Sequence, residues 1–456
     1  MASLFFYGYW SVEYLPLMLL SIVGNFLFGL AVSPKWLPDL SKPRKKLVLG
    51  VAVLANLALL GYYKYVNFFI ENINGLAGAH VDFVSIVLPL GISFYTFTQI
   101  AFLVDSYRGE VKEYSFLNYV LFVTFFPHLI AGPILHHKEM ISQFQSRWGL
   151  VIRNRNILIG LVIFSIGLFK KVVIADTFSV WADQGFDVSA NHDFYSAWAT
   201  SLSYTFQLYF DFSGYCDMAI GAALLFNVWL PINFNSPYKA LDIQDFWRRW
   251  HITLSRYLRD YLYIPLGGNR CSENRVYFNL MATFVLGGLW HGASWMFIIW
   301  GALHGFALMI HRFWTKAGMR LPKPIAWAVT FVFINITWVY FRATSLDDAH
   351  RIIYGMFDLS SISSMPVKDI PTGNLAWGGS LSDTLLTYLP HGVAAHVMQF
   401  AAAAVALFIV SRKNSFEIVT GGNIGYPKVF GATALFGSAM YLAMASTSTV
   451  FLYFNF

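Results

Sequence analysis

The 456-residue chain is 57% hydrophobic and 18% aromatic but only 12% charged, about half the charge of an ordinary soluble protein. That balance excludes a disordered chain, a nucleic-acid-binding domain and, with only Cys216 and Cys271, a disulfide-rich module. A polytopic membrane protein remains, and its net charge of +7 is read first as topology, because basic loops stay cytoplasmic.

At roughly 20 residues per crossing, the apolar content allows at most about 13 spans. The runs themselves predict about eleven transmembrane helices, at 12–33, 47–70, 84–106, 115–134, 151–174, 195–228, 276–296, 297–314, 325–343, 394–411 and 428–447. Met1-Ala2-Ser3-Leu4 lacks the charged leader of a cleavable signal peptide, so the first apolar segment is expected to stay as a helix. The run at 195–228 is interrupted by Asp211, Ser213, Gly214 and Asp217, which predicts a broken helix or two helices. Segment 35–46 holds Lys35, Lys42, Arg44, Lys45 and Lys46 against Asp39, which places it in the cytoplasm and the N-terminus outside. Segment 239–275 is also basic and should share that side. Segment 344–394 is acidic and rich in Ser, Gly and Pro, and reads as a long non-cytoplasmic loop. With no inverted repeat or low-complexity tract, 1–456 reads as one membrane-embedded domain.

The soluble catalytic signatures are missing: no Gly-x-Ser-x-Gly elbow, no His-Glu-x-x-His zinc helix, no P-loop. Two windows stand out instead. In Asp245-Phe-Trp-Arg-Arg-Trp-His251-Ile-Thr-Leu-Ser-Arg256-Tyr-Leu-Arg259, a helix puts Arg248, His251, Ser255 and Arg259 on one stripe, with Trp247, Trp250, Leu254 and Leu258 over the rest. Such a helix suits the membrane surface or a re-entrant position with basic groups facing an aqueous vestibule; the alternative is an interfacial helix that only anchors its loop. In Leu286-Gly-Gly-Leu-Trp290-His291-Gly292, an imidazole ends an otherwise apolar span. An ionisable residue there pairs or lines a cavity, and is a functional candidate; simple interhelix packing is the alternative. His304 is a weaker case of the same kind, read as structural. Asp211 and Asp217 either orient a catalytic histidine or cap a broken helix, the neighbouring helix breakers favouring the cap. Lys170 and Lys171 read as topology determinants.

Taken together, five windows resemble the membrane-bound O-acyltransferase (MBOAT) family, and most closely its bacterial alginate O-acetyltransferase branch. They are Tyr209-Phe-Asp-Phe-Ser-Gly-Tyr, Asn233-Phe-Asn-Ser-Pro-Tyr-Lys, Asp245-Phe-Trp-Arg-Arg-Trp-His-Ile-Thr-Leu-Ser-Arg, Arg259-Asp-Tyr-Leu-Tyr-Ile-Pro-Leu-Gly-Gly-Asn and Gly288-Leu-Trp-His-Gly-Ala. Their order and spacing match over about 200–312, the expected catalytic core region, with weaker likeness from Leu4 to Phe454-Asn-Phe. The resemblance implies an all-α, multi-pass fold, with re-entrant or interfacial helices around a tunnel across a bacterial inner membrane. The acyl donor enters from the cytoplasm and the acceptor hydroxyl from the other side. By motif match the family's essential histidine falls on His291, and its second polar position on His251. Relatives of this branch usually carry a further apolar segment before the stretch matching Leu4–Tyr9, so a helix is expected to be missing here.

The chemistry expected beside that resemblance is acetyl transfer from a thioester, with acetyl-CoA as donor and neither a metal nor a bound cofactor. His291 serves as general base, and His251 positions or polarises the thioester carbonyl. Arg248, Arg249, Arg256 and Arg259, together with Arg270, attract the donor's phosphates, while Asp211, Ser255 and Trp290 support the site. The expected acceptor is an exported polysaccharide such as alginate or cellulose. An extracytoplasmic acetyl-relay protein docking on 344–394 and a polysaccharide synthesis and export complex are the expected partners, besides the membrane lipid. D-alanyl transfer from a carrier protein to teichoic acid is the rival within enzymes; Arg248-Arg249 in place of the Asn-Arg of those relatives speaks for acetyl. A polysaccharide export channel or transporter is the rival outside them.

Overall fold

The structure, a computed structural model, describes residues 2–130, 132–146, 149, 151–190, 192–363 and 391–445. The stretch 364–390 of the expected acidic loop and the terminal Phe454-Asn-Phe lie outside the described residues. Among the described residues every regular element is helical.

α1 (Ala2–Ser11) and α2 (Leu15–Val32) lead into α3 (Lys42–Leu60), which passes through a π-helical turn (Gly61–Tyr65) into α4 (Val66–Ala77). α5 (Ile92–Arg108) precedes three short helices, α6 (Phe116–Thr124), α7 (Phe126–Leu129) and α8 (His137–Phe144). α9 (Asn154–Phe169) runs through a second π turn (Lys170–Ala175) into α10 (Asp176–Gly185), and α11 (Phe194–Leu224) comes next. Two short helices, α12 (Ile243–Arg249) and α13 (Ile252–Leu258), end in a third π turn (Arg259–Tyr263). The long helices α14 (Glu273–His291), α15 (Trp295–Lys316) and α16 (Lys323–Arg342) precede α17 (Leu346–Phe357), α18 (His391–Ser411), α19 (Ser415–Thr420) and α20 (Tyr426–Ala445).

The all-helical, multi-pass class is as the composition requires. Six described helices are long and apolar enough to cross a bilayer, fewer than the eleven apolar runs. α11 has the length but carries buried Ser, Thr, Gln and Asp side chains; a helix ringed by protein has no need to be apolar all round.

Three expected spans differ in detail. The run 84–106 becomes helical only from Ile92, because Pro89 lacks a donor and Gly91 takes a positive φ of 69°. Before it the chain is extended, held by the Asn67 side chain on the backbone of Val84 and by Asn74 on Val81. The run 115–134 splits between α6 and α7 at Phe125, where Pro127 begins the next turn. The run 195–228 is one unbroken helix of 31 residues, capped by Asp193, and so corrects the reading of Asp211 and Asp217 as caps.

What lets α11 pass through unbroken is its pairing with α9 and the π turn beyond it. Lys170 Nζ lies 2.7 Å from Asp217 Oδ2, and Lys171 Nζ lies 2.7 Å from both Asp211 Oδ1 and Asp176 Oδ1. The lysines are therefore ion-pair partners inside the protein, which corrects their reading as topology determinants. The two helices touch backbone to backbone: a Cβ on Gly214 would sit 2.7 Å from the Gly167 carbonyl, and one on Gly221 2.6 Å from that of Gly160. α11 also packs on α10, α16, α17 and α18, and so forms the centre of the shell. Breaking one partner of a buried pair typically destabilises by about 3–5 kcal/mol, while replacing both can be neutral. Asp217→Asn should therefore lower the melting temperature of the detergent-solubilised protein, and the double change Lys170→Met with Asp217→Leu should restore most of the loss.

Candidate active site

The window 243–263 is not one helix. Ile243–Arg249 and Ile252–Leu258 are separate turns, and the chain kinks at His251, whose φ and ψ of 43° and 53° are left-handed. A non-glycine residue holds such a conformation only where its surroundings over-determine it. Here the segment 233–235 pairs with the kink: Asn235 N–H donates to Arg249 O (2.9 Å) and Ile252 N–H to Asn233 O (3.0 Å). Phe246, Trp250, His251, Leu254 and Tyr257 are all buried, so the element is embedded in the protein and does more than anchor a loop at the interface.

α12, α13, α14 and α15 enclose a cavity of about 680 Å³. Exposed Arg248, Arg259 and Lys316 stand at one end, with Arg312 beside them; buried His291 and Trp300 stand at the other. Ser255 and Arg256 line the wall between. On the loop-charge expectation, that basic end belongs to the cytoplasmic side. The cavity thus runs from the basic mouth to His291.

The predicted residues divide accordingly. Arg248, Arg256 and Arg259 reach the cavity, Arg256 while gripping Glu139 with both terminal nitrogens (2.7 and 3.0 Å) and Arg259 while paired to Asp260 (2.7 Å). Arg249 is turned elsewhere: its Nε lies 2.9 Å from both Asp245 oxygens, and Nη1 reaches Asn235 O. It secures the kink, and its place among the donor-binding arginines is corrected on that ground. Asp211 is held by Lys171 behind the site. Trp290 is buried behind His291, stacked on Phe97 with ring centroids 5.1 Å apart. His304 Nδ1 accepts from the indole N–H of Trp247 (3.2 Å) and packs on Trp300, in keeping with a structural role.

His251 sits behind the cavity wall, completely buried, with its ring edge-on to Phe212 (centroids 4.8 Å) and 6.5 Å from the His291 ring. Its Nδ1 lies 3.1 Å from Asn233 Oδ1. The two histidines singled out by the motif match lie near each other, although they come from a loop kink and a helix end.

The sequence reading passed over Lys64 and Tyr65. His291 is the last residue of α14, where carbonyl groups lack intrahelical donors. Lys64 Nζ donates to the carbonyls of Trp290 (2.6 Å) and His291 (2.9 Å), and Tyr65 O–H to that of Leu289 (2.7 Å). Both capping groups stand on the first π turn, whose extra residue re-aims them toward α14, and such turns are frequent at functional sites. The cation also complements the negative end of the helix dipole. The signal was present in the sequence: one lysine in an otherwise apolar run at 47–70. Lys64→Met should leave the protein in the membrane but loosen the α14 end, and a shift of about 1 Å in a reacting group can lower a rate about 10²-fold. The check is kcat at unchanged donor KM, with Lys64→Arg recovering part of the loss.

Comparison with known proteins identifies the family. The family model described as MBOAT, membrane-bound O-acyltransferase family, matches residues 4–346. A peptidoglycan O-acetyltransferase of Helicobacter pylori is 46% identical over the whole of this chain and 90% of its own length. A probable alginate O-acetylase, AlgI, of Pseudomonas aeruginosa is 43% identical over 85% of this chain and 74% of its own. A teichoic acid D-alanyltransferase of Bacillus subtilis is more distant, 27% identical over 57% of this chain. A cavity that joins a basic mouth to a buried histidine, within a helical shell matched over most of its length, makes this chain a member of the membrane-bound O-acyltransferase family and a multi-pass membrane acyltransferase.

Proposed function

We propose that this acyltransferase takes acetyl from acetyl-CoA on the cytoplasmic side of a bacterial inner membrane, for O-acetylation of an extracytoplasmic polysaccharide. The observation that carries the reading is the His291 ring at the buried end of a cavity whose other end is basic. Its volume falls in the range that encloses most of a small ligand, and the arginines at its mouth suit the phosphates of the donor.

In this reading the hydroxyl oxygen of the acceptor attacks the thioester carbonyl, a C–O bond forms and the C–S bond breaks. His291 takes the hydroxyl proton and returns it to the departing thiolate, a role worth about 10²–10⁴-fold. Walls of Trp300, Phe284 and Leu258 keep water from the thioester, which limits its hydrolysis. Lys64 and Tyr65 hold the helix end on which the base stands, and Asp211 contributes to the fold through Lys171. An extracytoplasmic relay protein passes the acetyl to the polymer.

Two acceptors have distinct support. An exopolysaccharide such as alginate is favoured by the branch resemblance and the AlgI relatives. Peptidoglycan is favoured by the relative of that printed activity, which aligns along the entire chain. D-alanyl transfer has only the distant relatives behind it. The deciding measurement is acetyl on isolated peptidoglycan and on exopolysaccharide in cells with wild-type protein or His291→Ala at matched membrane abundance. One polymer should lose its acetyl at least about 10²-fold, whereas full acetylation by abundant His291→Ala rejects the base assignment. In membrane vesicles, labelled acetyl-CoA should act as donor and a D-alanyl carrier protein should not. Replacing both Arg248 and Arg259 by Ala should raise the KM for acetyl-CoA about tenfold with kcat within about twofold, as expected for exposed charge-assisted contacts.

A further inference from the structure

Asn233 begins one of the five motif windows, and its side-chain oxygen is the most heavily used acceptor around the site. Asn233 Oδ1 receives the backbone N–H of Thr253 (3.2 Å) and the Thr253 hydroxyl (3.0 Å), and lies 3.1 Å from His251 Nδ1. The amide orientation is settled by chemistry. The Thr253 N–H can only donate, so the atom it meets is the carbonyl oxygen and not the NH₂. The Thr253 hydroxyl already accepts from Ile134 N–H (2.9 Å), which leaves its own hydrogen for Asn233. On the other side, Asn233 Nδ2 points to Cys216 Sγ (3.4 Å). An oxygen cannot donate, so the hydrogen in the Asn233–His251 bond belongs to His251 Nδ1.

We propose that Asn233 is a positioning residue that fixes the tautomer of His251, with hydrogen on Nδ1 and the lone pair on Nε2. Nε2 of neutral His251 can then only accept a hydrogen bond and cannot polarise a thioester carbonyl by donating one. The same bond steadies the left-handed backbone of His251, since Asn233 grips Thr253 immediately after the kink and its own carbonyl accepts from Ile252. The consequence for the reaction is that both imidazoles are needed neutral, rather than one neutral and one protonated. The titratable groups around His251 are His291 on α14, Lys64 at the end of that helix, and Cys216 on α11 behind Asn233. This inference rests on the reading of the His251–His291 pair as the acyl-transfer centre.

The test begins with the wild-type full chain, ¹⁵N-labelled at histidine in lipid bilayers. Solid-state ¹⁵N NMR should show His251, identified by its loss in His251→Gln, protonated at Nδ1 and unprotonated at Nε2. A hydrogen on Nε2 overturns the proposal whatever the variants do. Transfer from labelled acetyl-CoA in vesicles then tests the consequence. Asn233→Leu at matched abundance should lose about 10²-fold or more in rate with donor KM unchanged. Asn233→Asp keeps an acceptor for Nδ1 and should retain transfer. Its carboxylate favours the charged imidazole, so the acid limb of the rate profile should move to higher pH. A merely structural asparagine would leave that limb in place. An Asn233→Leu protein with wild-type rate and pH profile also overturns the proposal. An active His291→Ala protein beside the expected tautomer would instead remove the acyl-transfer reading and leave the tautomer standing.

Discussion

Inside a bilayer no water is available to satisfy a polar group, so each one placed there must find its partner within the protein. This constraint orders the whole molecule. It explains why the carboxylates of α11 stand opposite two lysines, why a lysine and a tyrosine cover the end of α14, and why one asparagine oxygen serves three donors at His251.

The π turns are the device by which the shell meets that constraint. All three carry ionisable side chains: Lys64 in the first, Lys170 and Lys171 in the second, Arg259 and Asp260 in the third. One additional residue in a turn rotates the helix beyond it, so a long apolar helix can face lipid along most of its length and still turn a cation inward at one level. The first turn braces the end of α14 that carries His291, the second ties α9 and α10 to α11, and Arg259 of the third stands at the cavity mouth.

The result is a chamber with two different ends. At the exposed end, Arg248, Arg259, Arg312 and Lys316 make an environment suited to anionic groups; at the buried end, His291 is surrounded by Trp290, Trp300 and Phe341. Aromatic packing against Trp290, Trp300 and Phe341 restrains the His291 ring.

Much of this was legible from residue types alone. Low charge and long apolar runs determined a multi-pass helical protein, the basic loops set its expected orientation, and His291 at the end of an apolar span and His251 in a basic, tryptophan-rich window marked the candidate site. Position along the chain could not show which polar residues face each other, since ion pairs such as Lys171–Asp211 and caps such as Lys64 on α14 join segments far apart in sequence. That is why Asp211 and Asp217 resembled helix breakers, Lys170 and Lys171 resembled loop charges, and Arg249 resembled its neighbour Arg248. The kink at His251 was hidden for a related reason: periodicity assumes regular backbone, and a left-handed residue within a helical pattern is set by tertiary hydrogen bonds to Asn233 and Asn235. The sequence by itself determined the solvent the chain lives in and the chemistry it carries. Only the tertiary structure decided which donors meet which acceptors, because in a medium without water that pairing is made across the fold.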